Sequence, residues 1–237
     1  MPQKTLYSGL VKAIIFLIPY IITLGQADSN ASEFPKAVDL GNGLYDFGGV
    51  LINRRDTSLS FDAICNQTSG LVEYALVHEN GKLHESLFRT SISPRWIHAC
   101  LLLLKAKPLA SMFTSEKNAK DLQSSNLSNH KVLANVSWGK NGEVVSRAIS
   151  SMVYNQLSDR TLDTRPFVFT GSRTIDGNYL ADSEGSIIAV YHDINAVINC
   201  LDPDSNSDDS WVAFHESMPP LDYKVRFHLQ VLAQLSN

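Results

Sequence analysis

His84, Glu85 and Ser86 stand side by side in the stretch GKLHESLFRT, and His98 follows near the start of an apolar segment. A histidine can act as a general base, a serine as a nucleophile, and a glutamate as an acid or as the group that orients the histidine. His84, Glu85, Ser86 and His98 are therefore the candidate catalytic residues. The same side chains could equally form a polar network that only holds the fold together.

A β-hairpin is predicted around the first three of these residues. Asn80-Gly81 is a strong hairpin signal, because both residues tolerate the positive φ of a type I′ turn. Side chains alternate along a regular strand, so His84 and Ser86 would lie on one face and Glu85 on the other. A compact Ser-His-Glu triad is then excluded, and any triad needs a partner from elsewhere in the chain.

Glu85 would share its face of the hairpin with apolar residues. If that face is buried, the carboxylate needs a partner, because an unpaired buried charge is very costly. Arg89 on the same face, or His98 on the next element, could supply it.

A helix is predicted from about residue 93 to residue 106. Ser93 can cap it, Pro94 suits its first position, and Pro108 follows its end. His98 lies one position beside the apolar stripe of this helix. A histidine there is either a satisfied boundary residue or part of a site shared with the hairpin.

A second set of polar residues lies between positions 171 and 193. The serine after the strand-like run PFVF lacks the GxSxG pattern of a nucleophile elbow. The runs ADSEGS and YHD hold ligand types suited to a divalent metal, yet carboxylates are also ordinary in turns and helix caps. We predict a binding role and no metal site for this set, which comprises Ser172, Asp182, Glu184, His192 and Asp193.

The acidic run DPDSNSDD places Asp202, Asp204, Asn206 and Asp208 at a calcium-like spacing. It departs from an EF-hand loop, because Ser207 replaces the central glycine and an alanine stands where the bidentate glutamate belongs. We predict a solvated loop.

The N-terminus has the layout of a secretory signal peptide over residues 1–27. A basic start precedes an almost wholly apolar run at residues 13–24, and the small residues Gly25 and Ala27 precede a cleavage point. The apolar run is shorter than the ~20 residues of a membrane-spanning helix, and an uncleaved anchor is the alternative. We expect a periplasmic or extracellular protein with no stable membrane span after cleavage.

The chain has three cysteines, Cys65, Cys100 and Cys200. Export permits one disulfide with one odd thiol, but their apolar neighbours also fit three buried free thiols. No CxxC spacing occurs, so we expect no iron–sulfur cluster. The net charge of −4 and the absence of a basic stripe argue against nucleic acid as a partner.

Strand-like runs outnumber helical ones along the rest of the chain. Residues 28–44 indicate a tether and residues 111–130 a polar insertion. Asn141-Gly142 indicates a second hairpin, and Asp176-Gly177-Asn178 and Ser183-Glu184-Gly185 indicate turns between strands. We predict a single α+β domain over residues 45–237. Its sheet is expected to be mainly antiparallel, built from hairpins, and packed by one main helix plus short helices.

In chain order, the stretches EYALVHENGKLHESLF, WIHACLLLL, FVFTGS and ADSEGSIIAVYHD resemble the pattern of the YdjY-domain family of exported bacterial proteins. The resemblance covers roughly residues 45–232. It implies export and a shared fold, and it names no reaction because the family has no assigned activity. Some relatives carry ferredoxin-like cysteine clusters, which this chain lacks, so an iron–sulfur role does not transfer.

Two functions stay open at this point. The first is a non-enzymatic binding or interaction module for an unknown ligand or protein. In it, a polar cluster joins the HES hairpin, the His98 helix and the 182–193 strand. The second is a hydrolase or metal-dependent enzyme that uses His84 with Glu85, His98, Glu184 or His192.

Overall fold

The computed structural model describes residues 34–113, 127–162 and 167–232, and within them the chain is mostly β-structure. The strands are β1 (Ala37–Gly41), β2 (Leu44–Phe47), β3 (Val50–Asn53), β4 (Ser58–Cys65), β5 (Tyr74–His78), β6 (Ser86–Thr90), β7 (Lys131–Lys140), β8 (Glu143–Ala148), β9 (Val153–Asn155), β10 (Arg160–Thr161), β11 (Phe167–Phe169), β12 (Thr174–Ile175), β13 (Asn178–Tyr179), β14 (Ser186–Ala189), β15 (Ile198–Asn199), β16 (Trp211–Ala213) and β17 (Lys224–Val231). The α-helices are α1 (Pro94–Leu103) and α2 (Leu180–Glu184). Short 3₁₀ turns lie at Leu83–Glu85, Ala110–Phe113, Ile149–Met152 and His215–Ser217.

Eight strands form a closed barrel in the order β4-β17-β7-β11-β15-β14-β5-β6, with β6 pairing back onto β4. The β14–β15 and β5–β6 pairs are parallel, so the barrel is mixed. Strands β1, β2 and β3 extend the sheet beyond β4, and β8 pairs with β7 off the barrel path. Two small sheets, β10-β9-β16 and β12-β13, are separate from it. Closure gives each barrel strand two neighbours and leaves none of the eight as a free edge.

The barrel interior follows from alternation along its longest strands. Strand β17 buries every second residue, from Val225 to Val231. The Phe227 ring stacks on Phe61 of β4 at a centroid distance of 5.7 Å, and it meets Phe88 of β6 edge-on at 5.2 Å. Burying one such side chain stabilises the fold by about 1.5–3 kcal/mol. The three rings therefore hold together the strands where the barrel closes.

The predicted α+β class, with a mainly antiparallel sheet built from hairpins and packed by one main helix, is wrong. The described residues form instead a closed mixed β-barrel with extra strands and only two α-helices. The predicted hairpin at Asn80-Gly81 is also wrong, because β5 and β6 run parallel, with Tyr74 opposite Ser86 and Leu76 opposite Phe88. The connection over residues 79–85 turns the chain back before β6 begins.

Gly81 has a different use from the one predicted for it. A Cβ on Gly185 would lie 2.6 Å from the Gly81 Cα, closer than any side chain allows. Gly185 also has a φ of 71°, in the left-handed region that favours glycine. The two glycines therefore let the turn after β5 pack backbone to backbone against the end of α2.

Other elements agree with local sequence signals. The Asn141-Gly142 hairpin is confirmed as β7–β8, and the turn predicted at Asp176-Gly177 joins β12 to β13. The turn predicted between strands at Ser183-Glu184 is wrong, because both residues belong to α2. The helix expected over residues 93–106 is present as the shorter α1, which packs against α2 and β3. No helix in the described ranges is both long and apolar enough to cross a membrane.

The N-terminal predictions fall mostly beyond the described residues. The signal peptide at 1–27 lies outside them, as do residues 28–33 of the tether and residues 114–126 of the polar insertion. Within the remainder of the tether, residues 37–41 form β1, which pairs with β2.

The three cysteines are buried, and none of them forms a disulfide. Burial raises the pKa of Cys65 to about 11, so this thiol stays protonated at physiological pH. The disulfide that export would permit does not form in this structure.

Candidate functional site

The HES residues lie in a turn and not on a regular strand. Leu83–Glu85 form a 3₁₀ turn, and β6 begins at Ser86. The His84 side chain is 76% exposed, with Nε2 3.1 Å from Glu85 Oε1. The hydroxyl of Ser86 is buried and donates to the Lys82 carbonyl at 2.5 Å. The predicted face assignment is therefore wrong, and Ser86 is sealed off from a substrate.

Glu73, which the sequence did not single out, lies beside Glu85. Burial raises the pKa of Glu73, and the neighbouring negative charge of Glu85 raises it further. The Glu73 amide also donates to the Glu85 carbonyl at 3.0 Å, so the backbone fixes the two residues together. Glu73 therefore keeps a proton more readily than an isolated glutamate.

A line of polar contacts joins this turn to the strand region after α2. Lys82 Nζ donates to Tyr74 Oη at 2.9 Å, and Tyr74 Oη donates to Asp193 Oδ2 at 3.0 Å. The other Asp193 oxygen accepts the amide of Asn195 at 2.8 Å. Burial raises the pKa of Tyr74 to about 12, so its hydroxyl keeps its proton. Both carboxylate oxygens of Asp193 are thus engaged within the fold.

His98 is held in a small aromatic cluster. Its Nδ1 lies 2.7 Å from Tyr179 Oη, and that hydroxyl donates to the Gly171 carbonyl at 3.2 Å. The imidazole also meets the ring of Phe169 edge-on at 5.0 Å. Burial lowers the pKa of His98 from 6.5 to about 4. The imidazole is therefore neutral at physiological pH and a weak base.

Ser172 and Glu184 both bind Asn195. The Ser172 hydroxyl donates to the Asn195 carbonyl at 2.6 Å and accepts the Ala181 amide at 3.1 Å. Glu184 Oε1 accepts the Asn195 side-chain amide at 2.7 Å. These contacts connect both ends of α2 to the segment between β14 and β15.

Asp182 caps α1 from outside that helix. Its Oδ1 accepts the Ser93 hydroxyl at 3.0 Å and the Arg95 amide at 2.9 Å, and its Oδ2 accepts Arg95 Nε at 2.6 Å. Ser93 occupies the N-cap position as predicted, but its side chain bonds no amide of its own helix. A carboxylate near a helix N-terminus also interacts favourably with the helix dipole.

His192 uses both ring nitrogens within the fold. Nδ1 lies 2.8 Å from the Asn206 side-chain oxygen, and Nε2 lies 3.0 Å from the Cys200 carbonyl. Burial lowers the pKa of His192. Neither nitrogen is left for a ligand.

The predicted site residues therefore lie in neighbouring segments but do not converge. The turn before β6, α1 and the segment after α2 are linked through Lys82, Asp182 and Asp193. Within the described ranges, the polar contact of His84 is with Glu85. Among the described residues, no three histidine, cysteine or acidic side chains lie close enough to hold one metal ion.

The acidic run after β15 is organised by an arginine. Arg160 on β10 makes two hydrogen bonds of 2.7 Å to the Asp202 carboxylate and one of 2.6 Å to Asp204 Oδ2. Its guanidinium also lies 5.5 Å from the centre of the Trp211 indole. Asp202 is buried, so the prediction of a solvated loop is wrong at this residue. The guanidinium supplies the positive charge that a calcium ion would supply in an EF-hand loop.

This loop and the β9–β10 turn line an open cleft of about 400 Å³, which we call the acidic cleft. The size falls in the range of small-molecule sites. The sequence did not predict this cleft, because its two halves are far apart in the chain. Its lining residues are Asn155, Leu157, Ser158, Asp204, Asn206, Ser207 and Ser210.

Comparisons of the chain with known protein families, curated proteins and solved structures find no match. The resemblance to the YdjY-domain family stays a prediction.

Proposed function

We propose that this chain is an exported, non-enzymatic binding domain whose ligand site is the acidic cleft. The observation that carries the proposal is the unused hydrogen-bonding capacity found there. Ser210 is 1% exposed, lines the cleft, and has no hydrogen-bond partner for its hydroxyl among the described residues. Leaving a buried hydroxyl unpaired costs about 1–3 kcal/mol, which a bound ligand can offset.

The candidate catalytic side chains support a hydrolase less well. Ser86 is buried and bonded to a carbonyl, and His98 has a pKa of about 4 because it is buried. A Ser-His pair needs a base within hydrogen-bond reach of an accessible serine. His84 is accessible, but its Nε2 faces Glu85 and not a serine.

A metal-dependent reaction also has weak support in this part of the chain. It would use His84 and His192 together with an acid, and both nitrogens of His192 already bond to Asn206 and Cys200. The hydrogen-bonding groups that remain unused in the acidic cleft support binding without catalysis.

The proposal is tested by saturation-transfer NMR on the mature protein. The probes are three pools of small molecules: neutral sugars, carboxylic acids and aliphatic amines. Ser158→Trp should abolish binding of whichever pool gives a signal, because residue 158 is exposed at the cleft wall and the indole would fill it. Ser146→Trp is the matched control on the exposed strand β8 and should bind normally. The proposal fails if no pool gives a signal that Ser158→Trp removes.

A further inference from the structure

The acidic cleft has an excess of negative charge. Arg160 carries one positive charge and binds the two carboxylates of Asp202 and Asp204. None of the lining residues is basic, and Asp208 and Asp209 on the same loop are exposed and acidic. A site with this charge attracts cations and disfavours anions.

Two oxygen acceptors in the cleft are unused. Asp204 binds Arg160 through Oδ2, and its Oδ1 accepts no hydrogen bond from any residue in the described ranges. The second is the buried hydroxyl of Ser210, which lacks a partner within the same ranges. Ser158 also lines the cleft, and its hydroxyl donates a long bond of 3.4 Å to Asp204 Oδ2. Its lone pairs can accept a further donor.

An apolar side chain stands next to these acceptors. Leu157 lines the cleft and is 81% exposed, the highest exposure among the large apolar residues described. An apolar group so placed offers surface to a methylene chain, at about 0.8 kcal/mol for each CH₂ that becomes buried.

We propose that the acidic cleft binds a small aliphatic amine, either a diamine or a polyamine. Its primary ammonium group is held by Asp204 Oδ1 and Ser210 Oγ, and its methylene chain lies on Leu157. A primary ammonium group has three N–H donors and no acceptor, which matches a pocket rich in oxygen acceptors. This inference rests on the proposed function, since it names the ligand class for the same cleft.

Other ligand classes fit these groups less well. A calcium ion requires about six to eight oxygen ligands, and the Asp202 carboxylate is bound by Arg160 on both oxygens. A neutral sugar would leave the excess negative charge uncompensated. A carboxylate or phosphate would be repelled by Asp204.

The test is isothermal titration calorimetry of the mature protein with putrescine and with spermidine at low ionic strength. Asp204→Asn should weaken binding about tenfold or more, because it removes a charge-assisted hydrogen bond. Ser210→Ala should weaken it by a smaller factor, about threefold to tenfold. Asp208→Asn makes the same charge change on the same loop outside the cleft, and should change the affinity by less than about threefold. Thermal denaturation of each variant checks that Arg160 still holds the loop through Asp202.

Two results would overturn the inference. One is amine binding that Asp204→Asn and Asp208→Asn weaken equally, since that indicates attraction by the whole loop and not a site. The other is absence of amine binding while the sugar or acid pool binds and Ser158→Trp removes that signal. In this second case the binding function stands and only the ligand class is wrong.

Discussion

Acidification should destabilise this fold through His98. Burial lowers the pKa of the folded imidazole from 6.5 to about 4, so the unfolded chain takes up a proton that the folded protein resists. A histidine whose pKa is lower in the folded protein contributes stability that is fully present above the pKa of the unfolded chain. This stability is lost as the pH falls toward the pKa of the folded protein. From these two pKa values, proton linkage predicts that the free energy of unfolding falls by about 2 kcal/mol between about pH 7 and about pH 5.

The measurement is urea unfolding of the wild-type protein and of His98→Gln across this pH range. At neutral pH the variant should be less stable by about 1 kcal/mol, because it loses the bond between Nδ1 and Tyr179. On acidification the wild type should lose about 2 kcal/mol more than the variant, which has no group to titrate at that position. The order of stability therefore reverses near the lower end of the range.

His84→Gln serves as the matched control, because it removes a histidine whose side chain is 76% exposed. Its pH dependence should follow that of the wild type. Other buried groups that titrate, such as His192, are present in all three proteins and cancel in the comparison. If the wild type and His98→Gln lose stability in parallel, the inference that His98 is held neutral by burial is refuted.

Three further substitutions test the polar and glycine contacts. Asp182→Asn should cost about 1–2 kcal/mol of unfolding free energy in urea, because it weakens the cap of α1, whereas Asp176→Asn in an exposed turn should be neutral. Gly185→Ala should cost about 3 kcal/mol, because its Cβ would overlap Gly81. Gly142→Ala is the control, because Gly142 has a similar φ and a Cβ there would meet open space. An equal loss of stability in the two variants would contradict the role of the Gly81–Gly185 contact. Glu73→Gln should raise the urea midpoint at neutral pH. The raised pKa of Glu73 means that its charged form disfavours folding. The stability gained by Glu73→Gln should therefore vanish below about pH 4.5. A gain that is the same at every pH would contradict the raised pKa.

The sequence predicted elements whose signals are local. Asn141-Gly142 both adopt the positive φ of a tight turn, and β7 and β8 pair directly across them. Proline at the first position and an apolar stripe likewise identified α1. The same type of signal failed at Asn80-Gly81. There the glycine is required by its contact with Gly185, which is distant in the chain, and not by a hairpin.

Barrel closure could not be predicted, because it depends on pairings between distant segments. Strand β17 has the alternation of a half-buried strand, and this pattern does not specify its neighbours. It pairs with β4 on one side and β7 on the other. The parallel β5–β6 pair was missed because seven residues are a short connection for parallel strands, which usually need a crossover of a dozen or more.

Residue type was also a poor guide to the site. Asp182, His192 and Asp193 were selected because carboxylates and imidazoles bind ligands, but each is hydrogen-bonded within the fold. Arg160 and Ser210 have no local pattern around them that points to a site. Arg160 gains its role only when β10 lies beside the acidic loop.

A side chain can bind a ligand only through hydrogen-bonding capacity that the fold leaves unused. The polar residues of the HES turn, α1 and α2 use most of their hydrogen-bonding capacity within the fold. A segment rich in catalytic residue types can therefore have a purely structural role. The acidic cleft is the opposite case. Arg160 neutralises one carboxylate fully and occupies only one oxygen of Asp204, and the Ser210 hydroxyl is buried without a partner in the described ranges. Arg160 neutralises the charge of Asp202 within the fold. The negative charge of Asp204 is therefore available to a bound cation.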